Sequence, residues 1–578
     1  MSADTLVFDM SSMSEGTPSV FVRKDWLSIL DNQNQNYQGN QSVIDTSQLA
    51  NSNKYMNYRE AYLTIPMLLT LTQSIGSTAT WDCALADGTK SPDYVVGLKN
   101  WYGSIIHSFT LDYNGTTIIQ QTPYLGLWNT FKLMTSLSYN DIISSGSQLG
   151  FFPDDGTSWR YSGTADTNGI IGTSNNRNAG AFPVVADQFN QFDPYNPGFL
   201  RRQQGWNFDP AGLTGTGADA YSTLLPTANM NILWKSYLFN KVSATNAGGA
   251  TTTQAVVQFA ITAQVYLKHI ASFFERVPLL KGVFMKLTLN LNQSSVVFSV
   301  NGAGNFATCA VSSPLGGVSP IMISSKTGSN GAKDLVEGTY ICSLAVGRNC
   351  LNTTQTSALP APGVSPLGGS ILLNVPAYTF NPVFETSYLS APVKKIVYTD
   401  IYQYQIVNQI TAGSGGTFNN LITNGIANIK SVLVLPYYSA SANGNITPIQ
   451  SPFDTAGAGT TSPLCLLTQF NIQVSGQNAI YNTERYAYEQ FLNQLYGVNA
   501  VNGGMTDGLT SCLIDQKQFE MSYCYYYVNV GRMLPVEEAV PKSVNVLGTN
   551  MSGKAIDLFV FIEYGVEVSI DILTGARV

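Results

Sequence analysis

Apolar and polar residues alternate along several stretches of the chain with the period of two that a half-buried β-strand requires. Phe109, Leu111 and Tyr113 alternate with polar neighbours, Asn114-Gly115 follows, and Ile118 and Ile119 resume the apolar pattern. Asn-Gly favours a two-residue type I′ turn, in which both residues take positive φ, so this segment predicts a β-hairpin. The period then changes. Tyr124, Leu127, Trp128, Phe131 and Met134 fall on one face of a short helix that begins just after Pro123, and proline suits the first turn of a helix.

The arrangement recurs in the second half. Phe470, Ile472 and Val474 alternate, Ser475-Gly476 turns, Ile480 returns, and Tyr488, Phe491, Leu492 and Leu495 make a helical face. Phe470 stands 361 positions after Phe109, and Ile480 the same distance after Ile119. A hairpin followed by a helix is a common unit, but matching apolar positions, turn and helix together predict two copies of one β-fold.

Other strands fit both halves. Val283, Met285, Leu287, Leu289 and Leu291 alternate with polar residues, and Phe519, Met521, Tyr523, Tyr525 and Tyr527 form a second period-two stripe. Leu558 to Val568 reads as a last, largely apolar strand. Residues 1–54, rich in Asn, Gln and Ser between Asn32 and Gln41, are expected to be an extended arm, with regular structure from near Tyr55. The first β-fold is placed at 55–300, with a long polar insertion at 138–250, and the second at 391–578. Residues 301–390, with turn clusters such as Leu359 to Gly363 around a strand at Ile371 to Val375, are expected to connect the two.

Composition sharpens the class. Only 11% of the 578 residues are charged, against roughly 25% in an average soluble protein, while 44% are hydrophobic. Long exposed helices rely on charged faces, so this balance favours short strands, and it suits large contact surfaces with uncharged, aromatic centres. A net charge of -7 leaves no basic stripe for neutralising phosphates, which argues against sequence-specific nucleic-acid binding. The opening twenty residues carry Asp4, Asp9 and Glu15 and do not read as a secretory signal, and no later run reaches the 18 or so apolar residues of a membrane span. Seven scattered cysteines without a CxxC pair read mostly as small buried hydrophobes made in a reducing compartment.

A search for chemistry finds no catalytic, cofactor-binding or metal-binding constellation. His107 and His269 lie in or beside strand-like segments without a nearby Cys or a HExxH pattern, which favours packed histidines. Asp154 and Asp155 sit in Pro-Asp-Asp-Gly, the composition of a turn. Gly215, Gly217 and the run Gly413 to Gly416 lack the Lys-Ser/Thr of a phosphate loop. The Tyr523 to Tyr527 stripe could stack on sugars or bases, but aromatics at period two more often face a core or an interface. Asn114, Asn292 and Asn352 head Asn-x-Ser/Thr triplets that are read as accidental, because Asn114 is needed in the hairpin turn.

At this point the chain resembles the double jelly-roll major capsid proteins of virophages and polinton-like viruses. The resemblance covers most of the chain from about Tyr55 and is carried by Phe273 to Gly282, Ser451 to Ala456, Phe470 to Gly476 and the closing Ala555 to Gly575. It implies an all-β chain of two jelly-roll β-sandwiches with short helices and long loop insertions, three copies forming a pseudo-hexagonal homotrimer that tiles the icosahedral shell of a double-stranded DNA virus. It further implies penton and minor capsid partners, a place in the virion, and an outward position for the 138–250 insertion. Two sandwiches on a threefold axis give six similar edges, which the internal repeat supplies.

Two rivals stay in view. A secreted carbohydrate-binding β-sandwich would share the Tyr, Asn and Gly richness but should carry an export signal. A β-rich glycoside hydrolase needs two carboxylates roughly 5 to 10 Å apart across a cleft, and Glu275, Asp400 and Glu489 are the residues to watch.

Overall fold

Tyr113 pairs with Thr116 across Asn114 and Gly115 in a computed structural model of the chain, and both turn residues hold positive φ, +46° and +80°. The second hairpin closes the same way: Val474 pairs with Gln477, and Ser475 and Gly476 sit at +51° and +81°. The structure describes residues 19–74, 94–153, 251–300, 306–325, 338–347, 369–440, 447–452, 465–480, 485–502, 513–531 and 539–577, with gaps of one or two residues, and strands at 161–162, 184–185 and 236–245.

Around the first hairpin, eight strands build a sandwich. They are β1 (Phe21–Leu30), β2 (Gln41–Asp45), β3 (Tyr62–Ser74), β4 (Ile106–Tyr113), β5 (Thr116–Ile119), β6 (Thr251–Tyr266), β7 (Met285–Leu291) and β8 (Leu372–Phe380). Helix α1 (Leu125–Ser136) lies between β5 and β6. One sheet runs β1-β8-β3-β6 and the other β2-β7-β4-β5, all antiparallel.

The second half repeats this strand for strand. It comprises β9 (Val393–Ile410), β10 (Thr417–Ile426), β11 (Ile429–Tyr438), β12 (Leu467–Val474), β13 (Gln477–Asn478), β14 (Tyr526–Asn529), β15 (Lys542–Asn550) and β16 (Ile556–Asp571), with helix α2 (Tyr488–Asn502) between β13 and β14. Its sheets run β9-β16-β11-β14 and β10-β15-β12-β13. Each half therefore has the order 1-8-3-6 and 2-7-4-5, the double Greek key of a jelly roll. The chain is all-β, with two jelly rolls, short helices and long insertions.

Each core follows from alternation. Leu63, Ile65, Met67 and Leu69 of β3 and Leu373, Val375 and Ala377 of β8 point inward and are fully buried, as are Met285, Leu287, Leu289 and Leu291 from the facing sheet. In the second sandwich Val432, Val434, Val560 and Ile562 meet Phe470 and Ile472 in the same way.

Three expectations change. Among the described residues, regular structure begins at Phe21, not near Tyr55: β1 pairs with β8 from Phe21 to Leu30, and β2 with β7. As an edge strand with little inward-facing surface β1 shows no clean alternation, and the Asn-rich segment expected to be an arm is the turn between β1 and β2. Within 301–390, Leu372–Phe380 lies between β1 and β3 in the first sheet, and Gly338–Val346 pairs with the far half of β3. Finally, the Phe519 to Tyr527 stripe is not one strand, because Phe519–Tyr523 forms a π-helical turn and only Tyr526–Asn529 pairs. The 138–250 insertion starts with a helix, Tyr139–Leu149, capped by a reciprocal Ser138–Asp141 box and ended by Gly150 at φ +65°; most of the remaining insertion lies outside the described residues.

Candidate functional site

The residues that do most to define the molecule lie where the two sandwiches meet. Helix α1 rests on its own sandwich with one face and on the outer face of the β9-β16-β11-β14 sheet with the other. Nine of its twelve residues are buried, and Lys132 and Ser136 stay exposed. From it Trp128 meets Phe561 with ring centres 6.2 Å apart, and Phe131 lies between Tyr525 and Tyr527 at 5.2 and 5.3 Å. Tyr124, just before the helix, sets its edge 5.0 Å from Phe559. Such aromatic pairs add about 0.5–1.5 kcal/mol each beyond their area.

Strand β16 supplies both sides of this arrangement. Leu558, Val560 and Ile562 fill the second core, while Phe559, Phe561 and Glu563, on the opposite face, meet the first sandwich. A strand buried on both faces reads as a continuous apolar run, which Leu558 to Ile562 is.

Polar groups fix the register of the seam. Asp400 of β9 is 5% exposed and accepts hydrogen bonds from the Gln120 and Ile401 backbone N–H at 3.1 and 2.9 Å and from the Tyr564 hydroxyl at 3.2 Å. Burial outweighs these donors and raises its carboxyl above the usual carboxylate range. The Thr122 hydroxyl donates to the Ile401 carbonyl at 2.7 Å, the Ser272 hydroxyl to the Thr399 carbonyl at 2.6 Å, and the Tyr398 hydroxyl to the Ile118 carbonyl. At the hairpin tip, Asn114 donates to the Gly575 carbonyl and accepts from the Phe284 N–H at 3.2 Å.

These contacts enclose a cavity of about 240 Å³ between the sandwiches. Glu275, Asp400 and Glu563 line it together with Lys132, Lys268 and His269. Lys132 Nζ stands 4.0 Å from Glu563 Oε1, and Glu563 Oε2 accepts from the Ser431 hydroxyl at 2.8 Å. Burial, helped by the Lys268 charge, lowers the His269 pKa to about 4, so the imidazole is neutral at physiological pH.

The structure thus brings Glu275 and Asp400 to one cavity and leaves Glu489 outside it, on α2, where the Gln516 amide donates to it at 3.4 Å. His107 is buried edge-on to Tyr124 at 5.2 Å, and burial lowers its pKa. Gly413–Gly415 make a 3-10 turn between β9 and β10. Tyr523, Tyr525 and Tyr526 are buried. Asn292 is 3% exposed with its amide donating to the Ser104 carbonyl at 3.1 Å. Asp154, Asp155, Gly215, Gly217 and Asn352 lie outside the described residues. Among the described residues, no three His, Cys, Asp or Glu side chains are grouped to hold a metal ion, and no helix is long and apolar enough to cross a membrane.

Comparison with known proteins gives matches among solved structures. A chain of the Sputnik virophage structure aligns over 97% of this chain and 89% of its own length, at 11% identity and a TM-score of 0.48. The Faustovirus major capsid protein aligns over 96% and 91% at 9% identity and 0.44, and the mavirus major capsid protein over 97% and 91% at 10% and 0.39. No family model matches, and no curated protein matches in sequence.

Proposed function

We propose that the chain is a major capsid protein, which assembles as a homotrimer of pseudo-hexagonal outline and tiles the icosahedral shell of a double-stranded DNA virus. One observation carries this reading: two jelly rolls of identical strand order, joined side by side through α1 and β16. Two like bodies held at a fixed angle, repeated about a threefold axis, present six similar edges, so few contact types cover a facet. The sequence segments that resemble the double jelly-roll capsid family support the same reading, as does a surface poor in charge.

On this reading the first unit runs from Phe21 to Phe380 and the second from Val393 to Asp571, the place of action is the virion, and the partners are other copies of the chain with penton and minor capsid proteins. The seam cavity then serves no turnover; its carboxylates and amines align the two jelly rolls. Light scattering on a size-exclusion column, with negative-stain images of the same peak, tests the proposal. Three times the 62.5 kDa chain mass in particles of hexagonal outline is expected; a clean monomer that binds glycans overturns it.

A further inference from the structure

The cavity at the seam takes its walls from both jelly rolls, and its polar groups are unevenly partnered. Along α1, Leu125, Asn129, Lys132 and Ser136 recur at helical spacing and line it. Asn129 in the middle of this stripe is 6% exposed, yet its amide meets no hydrogen-bond partner among the described residues. Buried amides are normally hydrogen-bonded, so one turned into a cavity without a partner marks a place where the polar atoms of a guest fit.

The charges are half paired in the same way. Lys132 faces Glu563 at 4.0 Å. Lys268, on the short helix Leu267–Ile270, makes no ion pair among the described residues and has only the Tyr266 ring, 5.5 Å from its amine. Across the seam Asp400 is held by three uncharged donors and by no cation, and Glu275, an exposed residue of the lining, has no cation among the described residues either. His269 is neutral and changes neither side of this balance. An amine without an acid and carboxylates without a base therefore border one space, beside an apolar floor of Phe109, Ile119, Leu125 and Leu133. At about 240 Å³ the cavity has room for about eight waters at roughly 30 Å³ each, or for one small organic molecule of that size.

We propose that the seam cavity binds a free α-amino acid with an apolar side chain. Its carboxylate partners Lys268 and the Asn129 amide, its ammonium supplies the cation that Asp400 and Glu275 lack, and its side chain lies on the apolar floor. A simple anion would leave the carboxylates without a base and add a charge of their own sign, and a simple amine would leave Lys268 unpaired. A guest held by Asn129 and Lys268 of the first jelly roll and by Asp400 of the second binds only while the two are docked, so it stabilises the seam by mass action. The site lies within one chain and does not depend on the capsid reading, so the two stand or fall separately.

The test is isothermal calorimetry on the full-length chain with three probes of one shape: leucine, isocaproate, which lacks the amino group, and isoamylamine, which lacks the carboxylate. Leucine is expected to bind at least about tenfold more tightly than either, the usual effect of one charged hydrogen bond, and to raise the melting temperature of the wild type. Lys268→Met and Asn129→Leu keep the stem and the volume of the side chains they replace. Both are expected to melt no lower than the wild type without ligand and to lose the preference for leucine over isoamylamine. Should either variant fold poorly, the three probes on the wild type decide alone. Equal affinity for the three, no heat with leucine at millimolar concentration, or undiminished leucine binding by both folded variants overturns the proposal.

Discussion

Asp400 shows how one side chain at the seam sets a pH response. Its carboxyl titrates above the ordinary range in the folded chain because burial costs its charged form more than three donors return. The folded state therefore binds this proton at higher pH than the unfolded state does. The stability contribution of the group rises as pH falls from the folded pKa toward the ordinary value near 4 and is lost on the alkaline side. Urea unfolding of the wild type and Asp400→Asn across pH 4 to 7 should show the wild type gaining on the variant as the solution becomes more acid; a constant difference would refute the assignment. The turn glycines allow a paired comparison. Gly115 and Gly476 hold φ of +80° and +81° with open space where a Cβ would stand, so Gly115→Ala and Gly476→Ala should each cost about 1–2 kcal/mol through backbone strain alone. Equal losses in denaturant midpoint would reflect the repeat at the level of single residues.

At the scale of elements, α1 joins two cores. Replacing Trp128 by Ala removes a large buried ring, for which about 3–5 kcal/mol is the usual loss. Because that ring touches Phe561 of the other sandwich, the loss should also split one calorimetric transition into two as the jelly rolls uncouple. A single, merely shifted transition would place the ring's contribution in the first core alone. What could be read in advance divides along physical lines. Both hairpins, both helices and β7 were legible because turn chemistry and alternation are local signals. The early edge strand β1 was not, since one open face gives no alternation, nor was β8 as a sheet member, because its partners lie some 300 residues away in sequence. The seam left a single trace, the uninterrupted apolar run of β16, whose second buried face no single-strand pattern can assign to a partner. Phe519 to Tyr523 had a strand's periodicity yet coils into a π-helical turn, with Phe519 stacked on Phe491 of α2 at 4.9 Å; tertiary packing there overrides the local pattern.

Across the whole molecule, a duplicated fold has become asymmetric. Both jelly rolls share strand order, yet α1 covers the outer face of the second β9-β16-β11-β14 sheet, whereas on the first the Tyr139–Leu149 helix reaches Gln264 and Tyr266 through Gln148. The insertions add to the asymmetry: Ser294–Val300, Phe306–Ser312 and Gly338–Val346 widen only the first sheet. Strand β16 also has a consequence in time. It is made after the other fifteen strands of the two jelly rolls, and until it arrives the second sandwich lacks the strand between β9 and β11 while Tyr124 and Trp128 lack the Phe559 and Phe561 rings they rest on. A chain that stops short of Ile556 would leave the second core open and hold the two halves only through the β9 hydrogen bonds and the Phe131 contacts with Tyr525 and Tyr527. Completion of translation, rather than folding of either half, is then the event that closes the second sandwich and its seam to the first.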